Sequence, residues 1–195
     1  MYSEQASREA AATEAGSLED FLRTCALRLT LRRPASGEMS RVHELLQRTN
    51  QLNATLRRSS AADLQEYFAD PSRYHMTVAL LRDKFGDYGL IGLAAAEKER
   101  DAWNILELAC SCRAMGKGVE EALLQHVGEE AGREGVPVLP LDFRRTDRNG
   151  QLLTLLERAG FRPAGPESQE ILPLSRTRGG PDVPTSFPDW LEIVH

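Results

Sequence analysis

The sequence predicts an α/β fold, an α+β mixed sheet with helices on both faces. Three observations carry this reading. Short runs with period-two alternation or unbroken apolar character recur along the chain and mark strands. Amphipathic stretches of helical period lie between them. Two glycines, Gly116 and Gly118, stand between an apolar run and an amphipathic helix, at a strand-to-helix junction in the middle of the order. The elements read β-α-α-β-β-β-α-β-α-β-β.

Ser17, followed by acidic residues, opens "SLEDFLRTC" as a short apolar helix or turn. "LRLTLR" (27–32) alternates as a half-buried strand and "PASGEM" breaks it. In "MSRVHELLQRTNQL", Val42, Leu45, Leu46 and Thr49 share a helical face, with Ser40 as the expected cap. "SSAADLQEYFAD" is a second helix, ended near Pro71. "YHMTVALLRD" and "GLIGLAAAEK" are strands about a turn at "KFGDYG", where Asp87 is a turn residue, and "AWNILELACSC" is a third. A helix over Val119–Ala131 puts Val119, Ala122, Leu123 and Val127 on one face. "VPVLPLDF" is the next strand and "GQLLTLLERAGF" a short helix stopped by Gly160. "FRPAG" and "EILPLS" are the last two strands. The expected organisation is a mobile tail over 1–16, one domain over 17–175, and a Pro- and Gly-rich tail over 176–195 whose apolar end docks back.

At 195 residues, with 41% hydrophobic and 27% charged residues, the chain can bury a sizeable core. Its net charge of −5 argues against a general nucleic-acid binder. No run approaches the roughly 18 apolar residues of a membrane span. The start lacks the basic and apolar regions of a secretion signal. Cys25, Cys110 and Cys112 have neither zinc spacing nor an even disulfide count, which fits a reducing cytoplasm and no metal.

Glycine at the junction permits positive φ and a close approach to the backbone. The following helix offers unpaired N–H groups and a partial positive charge. Together they form a candidate anion cradle suited to a phosphate.

The pattern Arg113-x-x-Gly116-x-Gly118, after a strand and before a helix, resembles motif A of the GNAT acyltransferases. The element order, Asn149 after the next strand, and "ERAGF" (157–161) agree with it. The resemblance implies a GNAT fold, with a central, mostly antiparallel sheet flanked by helices. It implies that the loop holds the pyrophosphate of acyl-CoA, or the phosphate of a carrier protein's pantetheine arm. On that basis Arg113, Gly116, Lys117, Gly118, Val119 and Asn149 are cofactor-binding candidates. Leu108 and Cys110 join them on the strand expected to lie along the pantetheine arm, where a backbone N–H can polarise a thioester carbonyl. A narrower resemblance covers Ser17 to Phe161. "RTNQLN", "LRDKFGDYGLIG", "SCRAMGKGVE" and "RTDRN" are similar to the C-terminal, GNAT-like half of FkbH-family proteins. Members of that family fuse it to a phosphatase-like domain and load a glyceryl unit onto an acyl carrier protein for polyketide assembly. The 195 residues do not include that domain, so glyceryl loading is not expected of this chain alone. Two departures stand out. "TNQLNAT" replaces the family's "TNQFNLT", and Leu156 occupies the position of a tyrosine that protonates the leaving thiolate in many GNAT enzymes.

Glu107 is a candidate general base, with an exposed strand glutamate as the alternative. Cys112, nearest the helix N-terminus, is a candidate for a covalent acyl relay, against inert packing. Thr49, Asn50, Gln51 and Asn53 are candidates for binding a hydroxylated acyl group or acceptor, against simple capping. Arg57 and Arg58 are candidates for docking an acidic carrier protein, against a solvated face. His43 and His75 read as structural. The expected activity is cytoplasmic acyl transfer in a specialised-metabolite pathway, from acyl-CoA or an acyl carrier protein to a small amine, alcohol or thiol. The alternative is a non-catalytic, pantetheine-binding docking module for a separate phosphatase-like partner.

Overall fold

The computed structural model describes residue 8, residues 15–180 and residues 187–194. In chain order the elements are α1 (Leu18–Cys25), β1 (Leu27–Arg32), α2 (Met39–Arg48), α3 (Ala61–Ala69), β2 (Tyr74–Asp83), β3 (Gly86–Lys98), β4 (Trp103–Cys110), α4 (Val119–Arg133), β5 (Val138–Arg144), α5 (Gly150–Arg158), β6 (Arg162–Pro163), β7 (Ile171–Thr177) and β8 (Leu191–Val194). The strands form one mixed sheet, ordered β6-β7-β5-β4-β3-β2-β1-β8. Among the described residues, only β4–β5 and β1–β8 pair in parallel. No helix among the described residues is long and apolar enough to cross a membrane.

The period of each helix decides which face it covers. Val119, Ala122, Leu123 and Val127 of α4 pack with Leu29, Leu31, Leu108 and Cys110, and α5 adds Leu152 and Leu156 to this core. Val42, Leu45 and Leu46 of α2, with Leu64 and Tyr67 of α3, bury Met76, Val78, Leu93 and Ala109 on the opposite face.

Local chemistry explains the element ends. Ser17 caps α1 by accepting from Asp20 N–H. Ser60 and Asp63 form a reciprocal capping box at α3. Ser40 does not cap α2, because a short 3₁₀ turn over Ser36–Glu38 winds into the helix, which puts the cap position at Glu38, two residues earlier. Gly160, at φ 89°, ends the α5 turn. "FRPAG" pairs only over its Arg162–Pro163 dipeptide.

Two features at the ends of the chain bear on the site. Residues 191–194 pair with β1 as an eighth strand. Arg8, inside the stretch expected to be a mobile tail, grips Asp83 at 2.8 and 3.0 Å and lies over the Tyr88 ring.

The sheet is interrupted where the site was expected. The β3–β4 register shifts between Ala95 and Ala96, whose partners are Glu107 and Ile105, so Leu106 bulges out unpaired. The bulge flips the face read by the rest of β4. Leu108 and Cys110 point towards α4, while Ala109 joins the α2–α3 core. Strands β4 and β5 pair at Ile105–Leu141, with a further bridge at Ala102–Val138, and then diverge.

Candidate active site

Diverging strands leave buried N–H and C=O groups that need partners. Here the chain supplies them from the segment after α2. Cys110 N–H donates to Leu52 O at 2.8 Å, Ala54 N–H to Leu108 O at 2.9 Å, and Arg144 N–H to Ala54 O at 2.9 Å. Asn53 stands opposite Ala109 as an antiparallel bridge. On the strand where a backbone N–H was expected to polarise a thioester carbonyl, the Cys110 N–H therefore bonds to Leu52. The side chains of Leu108 and Cys110 lie in the α4 core. Burial, with Glu120 and Glu121 nearby, raises the Cys110 thiol pKa well above its usual value.

The inserted segment is costly to hold. Asn53 is fully buried; its Oδ1 accepts from Leu56 N–H at 2.8 Å, but its Nδ2 has no partner among the described residues. An unpaired buried donor costs about 1–3 kcal/mol. Leu56 and Arg58 sit at φ 49° and 51°, and left-handed backbone costs a non-glycine residue about 1–2 kcal/mol. The same loop seals Glu107, which is 0% exposed rather than an open strand residue. Its carboxylate accepts from Ser59 N–H at 2.7 Å and from Thr55 Oγ1 at 3.4 Å, and Ser59 Oγ lies 3.2 Å from Tyr67 OH. Burial raises the Glu107 pKa against the opposing effect of these hydrogen bonds, the direction a general base needs.

At the glycine loop, Gly116 and Gly118 take φ 73° and 85°, as the sequence implied. Gly116 faces open space, whereas a Cβ on Gly118 would come within 3.0 Å of Pro188. Trp190 Nε1 donates to Lys117 O at 3.4 Å, so the C-terminal strand covers this end of α4. Lys117 N–H is spent on Ala114 O, and Val119 is core. Sequence reasoning missed Glu120 and Glu121, although "GVEE" displays them. Each carboxylate takes its own backbone N–H at the helix start. Glu120 is 2% exposed, and desolvation pushes it up to about 7. Burial raises the Glu121 pKa as well, and its buried Oε2 has no partner. Two acids follow directly on the loop where a phosphate was expected, and when ionised they disfavour an anion nearby.

Other candidates gather in a cavity of about 1020 Å³. Thr49, Asn50, Gln51, Cys112 and Arg113 line it with Arg48 and Arg148. Thr49 Oγ1 donates to Leu45 O at 2.8 Å, ending α2, and Arg58 donates to Asn50 Oδ1. Arg113 makes no ion pair with any described residue. Asn149 is not turned to this space. Its Oδ1 accepts from Thr146 N–H at 2.9 Å and its Nδ2 donates to Arg144 O at 2.8 Å, so the amide braces its own loop. Arg57 is exposed on the rim of a second cavity, of about 470 Å³, lined by Thr55, Leu56, Leu106, Asp142 and Arg144. Leu156 is core and lines neither cavity. His75 packs between Trp103 and His126, its Nε2 2.7 Å from Thr77 Oγ1, and burial pushes it down to about 3. His43 Nε2 lies 3.3 Å from Gln47 Nε2. Among the described residues, no three His, Cys, Asp or Glu side chains group to hold a metal.

The order of strands and helices around this bulged and splayed sheet matches solved structures. The ribosomal-protein-S18-alanine N-acetyltransferase of Escherichia coli superposes with a TM-score of 0.59 at 17% identity, over 76% of this chain and 93% of that one. The fold is that of the GNAT acetyltransferases. A GCN5-related N-acetyltransferase from Kribbella flavida matches with a TM-score of 0.56 at 20% identity, covering 76% of this chain and 97% of its own. The PaiA N-acetyltransferase of Thermoplasma acidophilum, solved with coenzyme A, matches with a TM-score of 0.56 at 12% identity, over 76% and 98%. No protein-family model and no curated protein matches the chain. Against the GNAT expectation for coenzyme A, the cleft as folded does not fit a pantetheine arm. Its hydrogen-bonding edges are taken by Leu52 and Ala54, and Pro188 sits over Gly118.

Proposed function

We propose that the protein is a GNAT-fold acyltransferase that accepts thioester donors of the pantetheine type, with a carrier protein as its preferred donor in a cytoplasmic, polyketide-type pathway. The observation that supports this is the pairing of Leu52–Ala54 along β4. It supports the reading because the chain's own segment lies between β4 and β5 as a narrow extended strand bonded through its amides, which is also the character of a pantetheine arm. The two blocks most similar to FkbH-family proteins meet at this place, since "RTNQLN" supplies Leu52 O and "SCRAMGKGVE" follows Cys110 directly. When that edge is vacated, the chain offers the Cys110 N–H to a carbonyl and the Glu107 carboxylate to an acceptor proton. Cys112 and Arg113 line the larger cavity beside it.

The second reading is a non-catalytic docking module. The buried Glu120 and half-buried Glu121 at the helix start and the core position of Leu156 favour it. One experiment separates the two. The protein is incubated with acetyl-CoA, and in parallel with an acetylated acyl carrier protein, in the presence of a panel of small amines and alcohols. Released thiol and intact masses are followed. Thiol release above the donor-only blank with either donor supports acyl transfer. Binding of the carrier without thiol release supports the docking module.

A further inference from the structure

We propose that residues 52–59 are a displaceable plug: they close the β4–β5 cleft from within and swing out to open it. The proposal rests on the acyl-transfer reading for what enters the opened cleft, but not for the movement itself.

Three independent features meet in this loop. First, its part that bonds like a strand, 52–54, is only three residues long. Leu52, Ala54 and their partners Leu108, Cys110 and Arg144 make three main-chain bonds across both edges of the splay. Second, it is held against resistance, with Leu56 and Arg58 left-handed and the buried Asn53 Nδ2 unpaired. Leaving the cleft relieves all three, so the closed state gives up less than an ordinary strand would. Third, it separates two cavities. Leu52, next to Thr49–Gln51 at the start of the loop, lines the one of about 1020 Å³, and Thr55 to Arg57 line the one of about 470 Å³. Withdrawal of the loop joins them into one passage across the sheet, with Cys112 and Arg113 on one side and Leu106 and Asp142 on the other.

The movement has a chemical consequence. The loop covers the β4 edge with Leu52 and Ala54, and covers the Glu107 carboxylate with Thr55 and Ser59. A single displacement therefore uncovers the place for an extended arm and the buried acid together. In the closed state neither is accessible, so water cannot use the base against a thioester.

A tether tests this. Asn53 and Ala109 face each other in an antiparallel pair whose flanking bonds run from Ala54 and Cys110, the arrangement that brings side chains closest. The double variant Asn53→Cys with Ala109→Cys should therefore close a disulfide across the cleft, confirmed by peptide mapping. In wild-type protein the amides of Ala54, Cys110 and Arg144 should exchange with solvent at least tenfold faster than those of Leu93 and Ala94 in the centre of β3. Oxidising the double variant should slow the three to the β3 rate, and reduction should release them. Acetyl-CoA and acetylated carrier protein should bind the reduced form at least tenfold more tightly than the oxidised one. Wild-type amides at Ala54, Cys110 and Arg144 that exchange no faster than β3 overturn the plug, even if the double variant fails to fold. So does measurable donor binding of equal affinity in the oxidised and reduced forms, since the donor then enters without the loop leaving. Exchange that is fast and abolished by oxidation, with no donor bound by either form, upholds the plug and removes the thioester reading instead.

Discussion

Glu120 shows how a single residue can set the pH behaviour of the site. Its ordinary pKa is 4.5 and in the fold it is about 7, because desolvation outweighs its backbone hydrogen bond. The folded protein therefore binds more protons than the unfolded chain between those values. The stability this adds is complete below pH 4.5 and is lost as pH rises through about 7, on the order of 3 kcal/mol. His75 acts in the opposite sense. Its pKa is about 3 in the fold against 6.5 ordinarily, so its contribution is present above pH 6.5 and is lost as pH falls towards 3. Because the two overlap, the informative quantity is a difference between proteins. Glu120→Gln should gain stability over wild type as pH rises from 5 to 8, measured as denaturant midpoints at each pH. Parallel profiles would show that Glu120 carries no such penalty. The positive φ of Gly116 and Gly118 was legible because glycine is the residue that adopts it without cost. The burial of Glu107 and Glu120 was not, because it depends on tertiary packing: for Glu107, on Ser59, which lies far from it in sequence.

At the scale of elements, the sheet strands and the four longer helices could be read from their periods. Three features could not. The bulge at Leu106 leaves the apolar run of β4 looking continuous. β8 is four residues long and gains its partner, β1, from the far end of the sequence. The cleft-filling segment 52–54 has no period at all, and its bonds are made to strands more than fifty residues away. The covering of the glycine loop by residues 187–191 gives a direct comparison. Gly116→Ala places a Cβ in open space and should cost about 1 kcal/mol for the left-handed backbone alone. Gly118→Ala carries the same backbone cost and also pushes on Pro188 at 3.0 Å, so its denaturant midpoint should fall further. Equal losses would mean that the C-terminal strand does not rest on the loop. Leu156 belongs here as well. It is fully buried among the α4–α5 core, so Leu156→Tyr should lower stability by about 1–3 kcal/mol through overpacking. No gain in rate should accompany it, because the new hydroxyl would sit inside the core; a rate increase without loss of stability would show that the position reaches the cleft.

At the scale of the whole molecule, charge and the plug bear on the same event. The chain carries a net charge of −5, so an acidic carrier protein meets a repulsive surface except where cations concentrate. Arg57 and Arg58 are exposed and lie on the plug itself, between Thr55 and Ser59, which hold Glu107. Arg58 is also bonded to Asn50 at the wall of the larger cavity. A carrier that docks on these two arginines therefore pulls on the loop that must leave the cleft, whereas free coenzyme A brings no second surface to do so. The expectation is that carrier association falls with rising salt, and that Arg57→Glu with Arg58→Glu slows it on the order of tenfold at low salt and flattens its salt dependence. Association rates at several ionic strengths measure this, with acetyl-CoA affinity followed in parallel and expected to change less. The double variant should also leave the amides of Ala54 and Cys110 equally protected with and without carrier, where wild type loses protection when the carrier docks. Salt-independent carrier binding would mean that these arginines only face solvent. Salt-dependent binding that leaves the Ala54 and Cys110 amides protected would mean that docking and opening are separate events.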